Sequence, residues 1–272
     1  MKKDYVAINQ TDVGLEEVDF VERYWTRMWE QSGEETEQGS HIERREEYSI
    51  MRPYLDRLGP DSRLLDGGCG LGEWTVFLTS RGFNVIGLDI SQQTIARLKA
   101  LFSNVEFRCG DICRLDYPND YFDAYFSWGV FEHFEQGLVG PITEAWRMLK
   151  PGGFLFVSVP YQNWRHIFRD SRAVEKWDDN RRLTNGYATP LRFYQWRLTK
   201  TELHRELEMH GFKVHRIEAI AKAHGLYRML KLDFGLERGT LAYRMLFRLF
   251  KQIVPASCVA HMIMAVAEKV VR

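Results

Sequence analysis

The run Leu64-Leu65-Asp66-Gly67-Gly68-Cys69-Gly70-Leu71-Gly72 constrains this chain more than any other stretch. An apolar strand that ends in an acidic residue and turns through glycines into a helix builds a nucleoside pocket at the carboxyl edge of a parallel sheet. Glycine is needed there because the backbone must turn sharply and let a ligand lie against the main chain with no Cβ in the way. Glu73 and Trp74, followed by Val76, Phe77 and Leu78, open the helix. Asp66, Gly67, Gly68, Cys69, Gly70 and Gly72 are therefore candidate cofactor-binding residues. Their Asp-x-Gly-x-Gly-x-Gly spacing differs from the Gly-x-Gly-x-x-Gly fingerprint that cradles a pyrophosphate, which argues against a dinucleotide-dependent dehydrogenase.

Two further strand ends carry acids. Asn84-Val85-Ile86-Gly87-Leu88-Asp89 reads as a buried strand ending in a carboxylate that can accept from both hydroxyls of a ribose. Val105 to Ile112 ends near Asp111, a candidate acceptor for an exocyclic adenine amine, with Ile90 and Ile112 on either face of the ring. A single strand-end Asp is usually a turn former or a helix cap. Three in series point to one nucleoside site.

With these residues the chain resembles the class I S-adenosylmethionine-dependent methyltransferases. The resemblance extends through Tyr121 to Trp128 with Val130-Phe131-Glu132-His133, and through Met148-Leu149-Lys150-Pro151-Gly152-Gly153 into Phe154 to Val157. It is weaker over Gly211 to Ile220 and Cys258 to Val270. It implies a three-layer Rossmann-like α/β fold with a mostly parallel seven-stranded sheet and an antiparallel last strand. The implied cofactor is S-adenosyl-L-methionine and the implied partner a small-molecule acceptor, methylated at oxygen or nitrogen. Ser127 and Trp128 then stand beside the cofactor. His133 falls where the family's methyl group points, and is the candidate catalytic base if its pKa lies near neutrality. Gly129 stands three residues before Glu132, where metal-dependent relatives carry another glutamate, so no metal is expected.

The resemblance also divides the chain. Residues 1–62 read as a helical cover of the cofactor site, with Phe20, Tyr24, Trp25, Met28 and Trp29 on one segment and Tyr48, Ile50, Met51, Tyr54 and Leu55 on the next. Tyr24 and Trp29 are candidates to face the sulfonium or adenine, since an aromatic face attracts a cation. Residues 31–40 read as a polar loop. Residues 63–272 form the methyltransferase domain, with an acceptor-side insertion at 161–198 supplying Tyr161, Arg165, His166, Arg192, Tyr194 and Trp196 as candidate substrate contacts. A helix with a Thr199/Glu202 capping box follows it.

Composition narrows the rest. A chain of 272 residues with 45% hydrophobic content can bury one large core. The four cysteines form no Cys-x-x-Cys pair, so neither a disulfide framework nor a structural zinc site is expected. Thirty-seven basic residues balance 37 acidic ones, and no Asn-Pro-Pro-aromatic signature follows the fourth strand; nucleic acid is not the expected partner. No leading apolar stretch follows Met1-Lys2-Lys3 and no run approaches a membrane span, so a soluble, cytoplasmic protein is expected.

The balance of charge hides a tilt: residues 161–272 carry 21 basic and 11 acidic side chains. Within them lies a second, helical insertion at 224–256. Its stretch from Leu226 to Val254 is amphipathic, with Arg244, Arg248 and Lys251 close together and apolar residues spread wide around the helix. That surface needs a cover: the domain itself, as in a monomer; a second copy, as in a homodimer; or a peripheral membrane contact. A catalytically silent subunit that binds its partner through these helices is the alternative to an enzyme.

Overall fold

The computed structural model describes residues 1–7, 12, 14–31, 42–169 and 191–270. The expected polar loop beyond Gln31, and the charged stretch leading through Arg182 to Tyr187, lie outside the described residues. Seven strands form the central sheet: β2 (Arg63–Gly67), β3 (Asn84–Asp89), β4 (Glu106–Cys109), β5 (Phe122–Trp128), β6 (Leu149–Pro160), β8 (Phe212–Ile220) and β9 (Met262–Lys269). Their order is β4-β3-β2-β5-β6-β9-β8. Only β9 runs against its neighbours, as the resemblance implied.

Period-two alternation in the apolar strands sorts their side chains onto two faces. Leu65, Tyr125, Leu155, Val157, Ala265 and Ala267 face one core with Ile142, Ala145 and Met148 of α5 (Val139–Met148) and Leu203 and Leu207 of α6 (Lys200–Met209). Leu64, Ala124, Phe126, Phe154, Phe156 and Val266 face the other. There they meet Ile50, Met51 and Leu55 of α2 (Glu46–Leu55) and Phe77 and Leu78 of α3 (Glu73–Ser80). Phe126 and Phe156 stack at 5.2 Å, and each fully buried ring contributes roughly 1.5–3 kcal/mol by leaving water. A third, smaller cluster seats α4 (Gln92–Leu101) through Ile95 and Leu98 on Phe107 at the β4 edge.

The lead, read as mostly helical, opens on a strand. Lys2–Ala7 is a strand, β1, paired antiparallel with β7 (Leu191–Arg197) from Lys2↔Arg197 to Ala7↔Leu191. Asp4 fastens the ribbon by accepting from Arg197 at 2.9–3.0 Å. Lys2-Lys3-Asp4-Tyr5-Val6 has no apolar period of its own, and its extended form comes from the partner strand 184 residues or more along the chain. The two lead helices also part company. α2 is a structural layer of the main domain, whereas α1 (Glu17–Gln31) runs beside the crevice described below.

The capping box at α6 is present, with Thr199 Oγ1 accepting from the Glu202 amide and Glu202 accepting from the Thr199 amide. The stretch from Leu226 to Val254 is two helices, α7 (Lys222–Phe234) and α8 (Leu241–Ile253). Gly235, at φ 66°, ends the first, and Thr240 caps the second. The pair is inserted between β8 and β9 and followed by the short α9 (Ala256–Val259). A Cβ on Gly225 would overlap the Val259 carbonyl oxygen, so glycine is what lets α7 press against the α9 backbone.

Candidate active site

The carboxyl ends of β2, β3, β4 and β5 open into one crevice of about 550 Å³, a size suited to a cofactor-sized ligand. Its floor is the turn after β2. Gly68 and Cys69 donate their amides to the Leu88 carbonyl at 2.7 and 2.8 Å, which folds the turn onto β3. Gly68, Gly70 and Gly72 all lie at positive φ, at 80°, 52° and 76°. A Cβ on Gly68 would overlap Val130, and one on Gly70 would stand 2.8 Å from the Trp29 ring.

Asp89 holds this turn. Its Oδ2 accepts from the Gly70 amide and its Oδ1 from the Ser91 amide, both at 2.9 Å. Burial pushes its carboxyl above the ordinary carboxylate value, against the pull of these backbone amides. Each oxygen retains a lone pair for a ligand hydroxyl. Ile90, Asp111 and Ile112 stand beside it in the wall, with Asp111 Oδ1 accepting from the Cys113 amide at 2.9 Å.

The opposite wall is aromatic. Trp25 and Trp29 of α1 stack at 5.4 Å, and Trp74 and Trp128 stack at 4.9 Å. Among the described residues, the indole N–H groups of Trp29 and Trp128 are buried and have no hydrogen-bond partner. Arg45 and Glu73 form an ion pair at 2.6 Å at the same crevice.

His133 closes one end. Its Nδ1 lies 2.6 Å from the Tyr194 carbonyl oxygen, so Nδ1 carries the proton and Nε2 is the acceptor. The ring rests on Trp25 at 4.9 Å and on Tyr194 at 5.1 Å. Burial drives its pKa down to about 4, only partly offset by the Tyr194 and Gly129 carbonyls. Its neighbour Glu132 is pushed up to about 8 by burial. The two approach at 3.9 Å, too long for a hydrogen bond. Burial opposes charge on both, so at neutral pH they are uncharged neighbours rather than an ion pair.

The family description "Methyltransferase domain" matches residues 65–157, the stretch that builds this floor and wall. Over this stretch the chain is similar to a methyltransferase domain. A probable S-adenosylmethionine-dependent methyltransferase from Mycolicibacterium smegmatis is 30% identical over 165 residues, 60% of this chain and 56% of the relative. A ubiquinone biosynthesis O-methyltransferase from Bradyrhizobium diazoefficiens is 34% identical over 108 residues, 38% of this chain and 42% of the relative. The chain thus spans about half the length of the curated relatives it matches. Among solved structures, the Burkholderia thailandensis 1,6-didemethyltoxoflavin-N1-methyltransferase superposes with a TM-score of 0.58 over 99% of this chain and 96% of its own. At 14% identity that likeness is one of fold.

The structure brings Gly68, Cys69, Gly70, Asp89, Ile90, Asp111, Ile112, Trp128, Trp29 and His133 to one crevice. Other candidates lie elsewhere. Asp66 is buried beneath the turn, accepting from Thr75 Oγ1 at 2.7 Å, with its pKa pushed up to about 7 by burial. It braces the turn from below because the strand's pleat points it away from the crevice. Gly67 is packed on the Tyr125 ring, and Gly72 on Phe107, where its positive φ starts α3. Ser127 is wholly buried, one pleat away from Trp128. Tyr24 does not line the crevice; it backs His133 through Tyr194, at 5.7 Å between rings.

Of the expected acceptor contacts, Tyr194 touches the crevice machinery directly, through its carbonyl and ring on His133. Tyr161 is part of the main core. Arg165 pairs with Asp233 of α7, and His166 Nδ1 lies 3.0 Å from the Tyr161 carbonyl. Arg192 donates to the Leu15 carbonyl and covers Phe20. Trp196 donates to the Phe134 carbonyl at 3.0 Å. These residues position the insertion rather than line the cavity. Lining residues that sequence reasoning did not assign include Arg45, Glu73, Trp74, Val130 and Phe134. Glu73, Trp74 and Phe134 adjoin recognised motifs and were within reach of them. Arg45 has no local signal.

Proposed function

We propose that this protein transfers a methyl group from S-adenosylmethionine to oxygen or nitrogen of a small-molecule acceptor. The observation that carries this reading is the juxtaposition, in one crevice, of the Asp89-held glycine turn with a buried, uncharged histidine whose Nε2 is an acceptor. When bound, the cofactor supplies an electrophilic methyl group on a sulfonium. Asp89 accepts from the ribose hydroxyls, Ile90 and Ile112 flank the adenine, and Asp111 accepts from its amine. The Trp25, Trp29, Trp74 and Trp128 rings favour a cation and exclude water. α1 serves as the cover, and β7 carries the acceptor-side support that aims His133.

His133 departs from a base poised near neutrality. Its ring, with a pKa of about 4, accepts a hydrogen bond from the acceptor's O–H or N–H through Nε2 and orients the attacking lone pair. It receives the proton only as the acceptor acquires positive charge. The pH dependence follows: Nε2 is available above about pH 5 and is lost as pH falls through 4, so no histidine inflection is expected near pH 6–7. His133→Ala is expected to lower turnover by roughly 10²-fold while cofactor affinity stays within a factor of about two. Full turnover in the variant would leave positioning alone as the catalyst.

The reading favours a hydroxyl acceptor, in keeping with the relative whose name is that of an O-methyltransferase, since a neutral Nε2 suits a hydroxyl proton. Calorimetry with S-adenosylmethionine, S-adenosylhomocysteine and a nicotinamide dinucleotide tests the cofactor. Transfer of labelled methyl to a panel of phenols, alcohols and amines tests the acceptor class. Absence of binding to either sulfur compound, or preference for the dinucleotide, overturns the reading.

A further inference from the structure

α8 presents Leu241, Met245, Leu249 and Ile253 at four-residue spacing, and these side chains are 71%, 63%, 48% and 61% exposed. α8 meets α7 on the other side of the helix, where Tyr243 meets Tyr227 at 6.3 Å and Phe250 meets Phe234 at 6.4 Å. At 100° per residue, Arg244, Arg248 and Lys251 fall along one edge of the exposed ridge. The helix carries no acid. Residues 221–261 hold seven basic and two acidic side chains, and both acids are engaged: Asp233 with Arg165 and Arg169, Glu237 with Lys231. Among the described residues, Arg244, Arg248 and Lys251 make no ion pair.

An exposed aliphatic ridge bordered by unpaired cations matches a surface that is apolar inside and anionic at its rim. A bilayer containing acidic lipids has that order, with acyl chains for the ridge and phosphates at the depth of the guanidinium groups. A second copy of the same face would set three cations against three. At 13 residues the helix is about 20 Å long, too short to span a bilayer but long enough to lie in its surface. Among the described residues no helix is long and apolar enough to cross a membrane.

We propose that α8 is an interfacial membrane helix that seats this protein on anionic bilayers. The hairpin leaves the sheet where Ile220 pairs with Met262. Met262 also pairs with Pro160 at the carboxyl end of β6, the same edge from which the crevice opens. The hairpin that carries α8 therefore springs from the crevice edge of the sheet. This inference does not depend on the chemistry proposed for the crevice.

Flotation of the full chain with phosphatidylcholine vesicles, with and without phosphatidylglycerol, tests it. The chain is expected to float with the anionic vesicles and to be released by high salt. Met245→Ser/Leu249→Ser/Ile253→Ser and Arg244→Glu/Arg248→Glu/Lys251→Glu are each expected to weaken that binding on the order of a hundredfold. The melting temperature should remain unchanged, because the substituted side chains are exposed or at the rim. No flotation of the unsubstituted chain, or flotation of both triple variants equal to that of the unsubstituted chain, overturns the proposal. So does a concentration-dependent dimer, abolished by the serine variant and undisturbed by vesicles, which assigns the ridge to a second copy.

Discussion

The crevice floor and the α7–α8 hairpin are built on opposite terms. In the floor, glycine turn, strand ends and apolar layers lie within one continuous stretch, and nearly every group is buried and held by its neighbours. In the hairpin, α8 buries no residue at all and is joined to the domain through rings of α7 and the close contact at Gly225. Substitution in the first region is expected to disturb the fold or the site, and substitution along the exposed ridge to leave both intact. Burial, rather than proximity to the sheet, decides how much a residue matters to stability.

The largest expected contrast is between the two regions' apolar residues. Phe126→Ala removes a wholly buried ring stacked on Phe156 and is expected to cost about 3–5 kcal/mol in urea unfolding. A loss of less than about 1 kcal/mol would show that the layer repacks freely and would blur the comparison. Next comes Asp89→Ala, which deletes the acceptor of the Gly70 and Ser91 amides. S-adenosylhomocysteine affinity measured by calorimetry should fall by roughly 1.5–3 kcal/mol, and unchanged affinity would remove Asp89 from the ribose contact.

A smaller effect separates the two regions by pH. Glu132, with its folded-state pKa raised to about 8, binds its proton more tightly folded than unfolded. Its contribution is full below the ordinary carboxylate pKa and is lost as pH rises towards 8. Glu132→Gln should therefore flatten the decline in melting temperature across pH 5 to 8 and gain at least about 1 kcal/mol at pH 8. An unaltered pH profile would place ionised Glu132 in the folded protein. The smallest effect belongs to the hairpin: Leu249→Ser should change stability by less than about 0.5 kcal/mol. A larger loss would mean that the ridge packs against the fold.

The cofactor half was legible because its signals are local. The turn from Leu64 to Gly72 and the strand ends at Asp89 and Asp111 name both the fold and the crevice, and the family match covers this same stretch. Even there the pleat intervened: Asp66 and Gly67 precede Gly68 directly, yet they face the core. The acceptor side was less legible. Tyr161, Arg165, Arg192 and Trp196 have the composition of a binding surface, and their partners turn out to be the core, Asp233, Leu15 and Phe134.

Periodicity and glycine spacing alone determined a parallel α/β sheet with a nucleoside-type crevice at its carboxyl edge, because both record the conformation of neighbouring residues. Tertiary structure alone decided that Lys2–Ala7 is a strand, that Arg45 meets Glu73, and that Tyr194 aims His133. It also set His133 and Glu132 uncharged side by side. Those outcomes depend on groups far apart in the chain and on the loss of water around them, and neither is written in any local run of residues.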